Sequence, residues 1–250
     1  MRVLLQVRAI WASLVLVGIW FVRVAVAQEA PVRSQVRIDT AAGEISAELF
    51  EPSGSRARAA IIVLHGAGGT LLDGPEMRRV ARALAADGNA AYVLHYFERT
   101  GTIIAFDSTM QQHFGDWLGT VRAAIPAIQS ARGDFSPIGI YGYSLGAFLG
   151  LQVASDNARV GAVVEQAGGV WNDRFDTIGR MPPVLMVHGL RDARVPFTKY
   201  AGPLIPILRR RAATLQTHLF PDEGHGFTAD AMKIVRGEAK RFFRVHLRPR

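Results

Sequence analysis

The sequence predicts an α/β fold: a mainly parallel, twisted sheet with an antiparallel hairpin at its N-terminal end and helices on both faces. Three observations carry this. Short apolar runs alternate with stretches of helical spacing along the chain, and such alternation builds parallel sheets through right-handed crossovers. One of those runs, Ala59 to Leu64, is continuously apolar, the signature of a strand buried on both faces, and Ala90 to Tyr96 reads as the next buried strand. Finally, Gly142-x-Ser144-x-Gly146 joins a β-branched run, Ser136 to Tyr143, to a helical run of small residues, Ala147 to Ala154. That is the strand-turn-helix setting of a nucleophile elbow.

The elements follow in order. Residues 1–27 read as a signal peptide: Arg2 and Arg8 are a positive start, Ala9 to Val22 an apolar run, and Ala25-Val26-Ala27 a cleavage site. The run is 14 residues long, short for a bilayer span. Export to a periplasm or secretion is expected, leaving residues 28–250 as one domain. The alternative is a membrane partner through an uncleaved N-terminal anchor.

Gln35 to Thr40 and Glu44 to Phe50 alternate apolar and polar residues around Ala42-Gly43, as a hairpin does. After the strand at Ala59 to Leu64 comes His65-Gly66-Ala67-Gly68-Gly69, then helical spacing from Pro75 to Ala86. The strand at Ala90 to Tyr96 leads through a loop, Phe97 to Asp107, to a long helix from about Gln112 to Gln129, where Pro126 predicts a kink or an early end. Strands follow at Ile138 to Tyr143, Val160 to Glu165, Val184 to Val187 and Leu215 to Phe220. A broken helical region spans Pro196 to Arg211, and an amphipathic helix Ala229 to His246 closes the chain.

Composition narrows the function. With 250 residues, 49% of them hydrophobic, one domain can bury about 70% of its unfolded surface. There are no cysteines, which excludes thiol nucleophiles, thiolate metal sites and disulfides. The net charge is +8, but the basic residues form no interaction tail. Arg209-Arg210-Arg211 and Arg241 to Arg250 read as solvated helix ends, so no nucleic-acid partner is expected.

Parallel sheets place ligands at the carboxyl ends of their strands. Four features fall there: the glycine-rich loop after His65, Ser144, Asp192 in Leu190-Arg191-Asp192, and His225 in Gly224-His225-Gly226-Phe227. A serine hydroxyl is a weak nucleophile and needs a neighbouring base. His225, flanked by glycines, suits that role, and Asp192 suits the carboxylate that orients it, with Glu165 as a rival. Asp222 and Glu223 read as turn residues, and His65 and His188 as structural. No H-x-x-x-H or H-x-x-E-H pair occurs, so no metal site is expected. Leu71 stands where a dinucleotide fingerprint needs glycine, so no nucleotide cofactor is expected either.

The order Ser, Asp, His, with Val63-Leu64-His65-Gly66, Tyr141-Gly142-Tyr143-Ser144-Leu145-Gly146, Pro183 to Gly189 and Gly224-His225-Gly226-Phe227, resembles the α/β-hydrolase superfamily and within it the dienelactone hydrolase family. The resemblance runs from about Gln35 to the C-terminus. Serine and small residues stand where the founding lactone hydrolases have a cysteine nucleophile and a glutamate. It implies hydrolysis of an ester, thioester or lactone through Ser144, His225 and Asp192, on a small acyl substrate and without a cofactor. The backbone N–H groups of Ala67 and Leu145 would form the oxyanion hole, each donor contributing about 3 kcal/mol to the transition state. A peptidase or acyltransferase on the same scaffold, or a binding protein without chemistry, remain alternatives. About 18 residues separate the strand ending near Glu165 from the next, too few for a cap domain. The expected site is therefore open, with Phe97, Arg99, Trp171 and Phe175 as candidate substrate contacts.

Overall fold

The structure is a computed structural model that describes residues 30–41, 43–134 and 136–247. The signal peptide expected at residues 1–27 lies outside the described residues. Eight strands form one sheet: β1 (Val32–Thr40), β2 (Gly43–Glu51), β3 (Ala60–Leu64), β4 (Ala90–Leu94), β5 (Ile138–Tyr143), β6 (Val160–Gln166), β7 (Val184–Gly189) and β8 (Leu215–Phe220). Their order is β1-β2-β4-β3-β5-β6-β7-β8. β1 and β2 pair antiparallel, β2 pairs antiparallel with β4, and the remaining pairs are parallel. The helices are α1 (Gly69–Leu72), α2 (Gly74–Ala86), α3 (Asp107–Arg132), α4 (Leu145–Ala154), α5 (Leu204–Arg211) and α6 (Ala229–His246).

Because successive strand residues face opposite ways, the central strands feed two cores. Ile62, Leu64, Ile140, Val163 and Met186 pack with Trp117, Val121 and Ile125 of α3, Phe148 of α4 and Leu204 of α5. Ile61, Val63, Tyr141, Val164 and Val187 pack with Met77, Val80 and Leu84 of α2 and Val235, Phe242 and Phe243 of α6. Every residue of α4 is buried. This helix carries the residue after Ser144, so the sheet and α3 hold the elbow on both sides. Buried Glu48 fastens the hairpin to α2, with Arg33 at 2.6 Å and Arg78 at 2.9 Å. Burial alone would raise its pKa, but the two guanidiniums outweigh it and keep the carboxyl low.

Several boundaries differ from expectation. α3 runs through Pro126 to Arg132. Its apolar stripe of Phe114, Trp117, Val121, Ile125 and Ile128 is buried on the sheet, and that burial holds the helix together across the one hydrogen bond proline removes. β4 stops at Leu94, and the buried Tyr96 beyond it donates its hydroxyl to the carbonyl of His65 at 2.8 Å. α1 appears where the glycine-rich loop predicts none. Only the second half of the Pro196 to Arg211 region is helical.

Candidate active site

The elbow shows why glycine flanks Ser144. Ser144 sits at φ 52°, ψ −121°, a conformation an L-residue holds only where its surroundings enforce it. A Cβ on Gly146 would lie 2.5 Å from the carbonyl oxygen of Leu64 and 2.6 Å from that of His65. One on Gly142 would run into the Gly146 carbonyl and sit 2.6 Å from the nitrogen of Ala147. The Ser144 N–H donates to Gln166 at 2.9 Å, tying the turn to β6.

The structure brings the three distant residues together. His225 Nε2 is 2.9 Å from Ser144 Oγ, and His225 Nδ1 is 2.8 Å from Asp192 Oδ2. The other carboxylate oxygen of Asp192 accepts from the backbone N–H groups of Arg194 at 2.9 Å and Val195 at 2.7 Å. Burial pushes the Asp192 pKa up, but hydrogen bonds from His225 and Val195, with electrostatic attraction to the His225 and His188 rings, outweigh it, and the net shift is downward. An ionised Asp192 can only accept, so His225 carries its proton on Nδ1 and offers Nε2 to the serine.

A second imidazole supports the first. His188 Nε2–H donates to the Val195 carbonyl at 2.9 Å and stands 3.6 Å from Asp192 Oδ2. Burial lowers its pKa, which keeps it neutral. Glu165, the rival carboxylate, is buried beneath the elbow, where its Oε2 accepts from the Gly168 N–H at 3.2 Å. Burial lifts its pKa to about 8. Asp222 pairs with Arg191, and Glu223 accepts from the N–H and hydroxyl of Thr228 ahead of α6.

Ala67 and Leu145 both line the cavity at Ser144. Leu145 is the first residue of α4, so its N–H has no carbonyl partner within the helix. The Ala67 loop is fixed from three sides. His65, held neutral with a pKa lowered to about 4 by burial, donates Nδ1–H to the Gly66 carbonyl at 2.8 Å. Asp73 Oδ2 accepts from the Gly68 N–H at 3.0 Å, and the Ala105 N–H donates to the Ala67 carbonyl at 2.8 Å. Burial raises the Asp73 pKa.

The cavity holds about 490 Å³. Its apolar wall is Met110, Phe114, Phe148, Trp171 and Tyr200, with Arg174 and Arg194 beside them. Trp171 packs against Phe114 and Phe148, each at 4.6 Å between ring centroids. Trp171 is thus a cavity residue, whereas Phe97, Arg99 and Phe175 are not. Phe97 is buried in an aromatic cluster with His65 and Trp117, at 4.7 and 4.4 Å. Arg99 points to solvent from a single 3-10 turn, Glu98–Thr100, and Phe175 packs against the core. The connection from β6 to β7 contains one short 3-10 helix, Asn172–Thr177, and no cap. Among the described residues no cluster of three or more His, Asp or Glu could hold a metal.

A serine held on a strained strand-to-helix turn, at the carboxyl edge of an eight-stranded mainly parallel sheet, defines an α/β-hydrolase. The family model for the dienelactone hydrolase family matches residues 45–242. The chain belongs to that family, and so to the hydrolases. Among solved structures it is similar to a dienelactone hydrolase-like promiscuous phosphotriesterase from metagenomic libraries, with TM-score 0.73 and 22% identity over 87% of this chain and 99% of the other. It is also similar to a dienelactone hydrolase from Anabaena variabilis, with TM-score 0.66 and 19% identity over 88% and 100%. A serine hydrolase without a lid from Xanthomonas campestris superposes with TM-score 0.65 and 17% identity over 86% and 95%. No functionally curated protein matches the chain.

Proposed function

We propose that the chain cleaves a carboxylic ester, thioester or lactone through an acyl-enzyme on Ser144. The observation that carries this is His225 standing between Ser144 Oγ and Asp192 at hydrogen-bond distance on both sides. His225 Nε2 takes the hydroxyl proton as Oγ attacks the substrate carbonyl, and Asp192 stabilises the imidazolium that forms. The N–H groups of Ala67 and Leu145 receive the oxyanion. Collapse of the tetrahedral intermediate expels the alcohol, thiol or ring oxygen, which takes the proton from His225. Water then attacks the acyl-enzyme by the same route, with His225 as base, and frees the acid and Ser144.

The acyl group lies along Phe114, Phe148 and Trp171, which favour a small apolar or aromatic substituent. The absence of a cap in the β6–β7 connection supports an open site. The N-terminal 27 residues direct export, and a mature N-terminus at Gln28 in exported protein is the expected finding. The reading is tested by the turnover of a panel of soluble esters, thioesters, lactones, peptides and phosphotriesters. Turnover confined to peptides or phosphotriesters would overturn it.

A further inference from the structure

We infer that the rim of the Ser144 cavity is a docking surface for an anionic lipid interface, so that the enzyme takes esters presented by an amphiphile aggregate or bilayer. This rests on the ester-hydrolase reading above and names where that substrate is met.

The observation is the placing of the exposed large apolar side chains. Among the described residues there are eight: Val32, Leu71, Leu72, Ile103, Phe106, Leu190, Ile234 and Val245. Five of them stand on segments that leave the carboxyl ends of β3, β4 and β7, the edge that carries Ser144. Leu71 is 61% exposed, Leu72 62%, Ile103 67%, Phe106 71% and Leu190 46%. Scattered single apolar residues, Leu190 among them, need no explanation, but four on two adjoining segments that border a catalytic cavity do.

The two richest segments adjoin. The Ala105 N–H donates to the Ala67 carbonyl at 2.8 Å, and a Cβ on Gly69 would collide with the carbonyl of Ile103. α1, with Leu71 and Leu72, therefore lies against the loop that carries Ile103 and Phe106. Both segments border the cavity directly: Ala67 opens one, and Asp107, next to Phe106, closes the other.

Two features select the occupant. A protein seated on this rim would cover the route to Ser144, whereas a lipid surface covers it and supplies substrate at once. Charge argues the same way. Without residues 1–27, which hold Arg2, Arg8 and Arg23 and no acid, the net +8 becomes +5, which still repels a second copy and attracts an anionic surface. Arg99 projects to solvent in the same β4–α3 loop and has no carboxylate partner among the described residues. Apolar side chains that enter an interface beside a basic group are the usual composition of a peripheral lipid contact.

The test uses the full chain and two substrates: a short para-nitrophenyl ester in solution, and a medium-chain para-nitrophenyl ester embedded in vesicles of equal parts phosphatidylcholine and phosphatidylglycerol. The triple variant Leu71→Ser, Ile103→Ser, Phe106→Ser is expected to lose about tenfold or more of its turnover on the vesicle ester. It should hold soluble turnover within about twofold of the parent, since surface changes of this kind seldom disturb a fold. Pure phosphatidylcholine vesicles, or high salt with the anionic ones, should lower parental turnover on the embedded ester. An unchanged ratio of vesicle to soluble turnover in the variant overturns the inference, as does indifference of the parent to lipid charge. Should the variant lose both activities, Ile103→Trp decides: a blue-shifted emission with anionic vesicles supports docking, and an unshifted one overturns it. Absent soluble turnover in the parent would count against the ester-hydrolase reading alone, because the Ile103→Trp signal reports docking without chemistry.

Discussion

Oδ2 of Asp192 stands 2.8 Å from Nδ1 of His225, while Oδ1 of the same carboxylate is held by two backbone N–H groups of the turn that follows it. Asp192 is thus fixed before substrate arrives, and the proton position on His225 is fixed with it. Asp192→Asn would offer an amide in place of the carboxylate and permit the wrong tautomer. It should lower kcat by about 10³- to 10⁴-fold with little change in KM. Steady-state kinetics on a soluble ester checks this.

Glu165 makes a prediction about stability against pH. Its folded pKa, near 8, lies above the ordinary 4.5, so between those values the folded chain binds more protons than the unfolded one. Its contribution is therefore most favourable below pH 4.5 and is lost as pH rises towards 8, at up to roughly 1.4 kcal/mol per pH unit. Asp192, shifted downward, acts the other way and is felt only as pH falls into its own acidic range. His65 and His188, whose pKa values burial lowers from 6.5, oppose this below about pH 6.5, so urea melts from pH 7 to 9 should show stability falling to about pH 8 and then levelling, and Glu165→Gln should flatten that slope.

The elbow depends on backbone clearance. Gly146→Ala would press a methyl group against the Leu64 and His65 carbonyls, neither of which can yield without moving β3. A loss of about 3 kcal/mol is expected from overpacking of this kind, read as a lower urea midpoint, together with loss of esterase activity.

Asp73 should act on rate through the Ala67 loop. Asp73→Ala leaves the Gly68 N–H without its carboxylate partner, at a cost of about 1–3 kcal/mol, and frees the loop carrying the Ala67 N–H. The expected outcome is a fall in kcat of about tenfold with KM nearly unchanged. Asp73→Asn, which keeps an acceptor oxygen, should recover most of the rate.

Much of this was legible in the sequence, for physical reasons. Strand and helix periods mark the sheet directly, and Ser144, Asp192 and His225 could be paired because each follows a strand and two of them carry flanking glycines. Of the apolar cavity wall, only Trp171 was among the expected contacts. Phe114 and Phe148 repeat with ordinary helical spacing, so nothing separates a ring facing the cavity from one facing the sheet. Phe97 and Arg99 show the converse difficulty. They occupy a loop at the correct edge, yet a 3-10 turn sends one side chain into an aromatic cluster and the other to solvent. Asp73 carries no sequence signal, because its contact with Gly68 depends on how α1 folds back over the loop.

The most direct test of the account is a mass measurement on the intact protein after reaction with a fluorophosphonate or a slowly hydrolysed ester. The account predicts one covalent adduct per chain on Ser144, with no adduct and no esterase turnover in a folded Ser144→Ala variant. Turnover of Ser144→Ala at the parental rate, or an adduct on another residue, would contradict it.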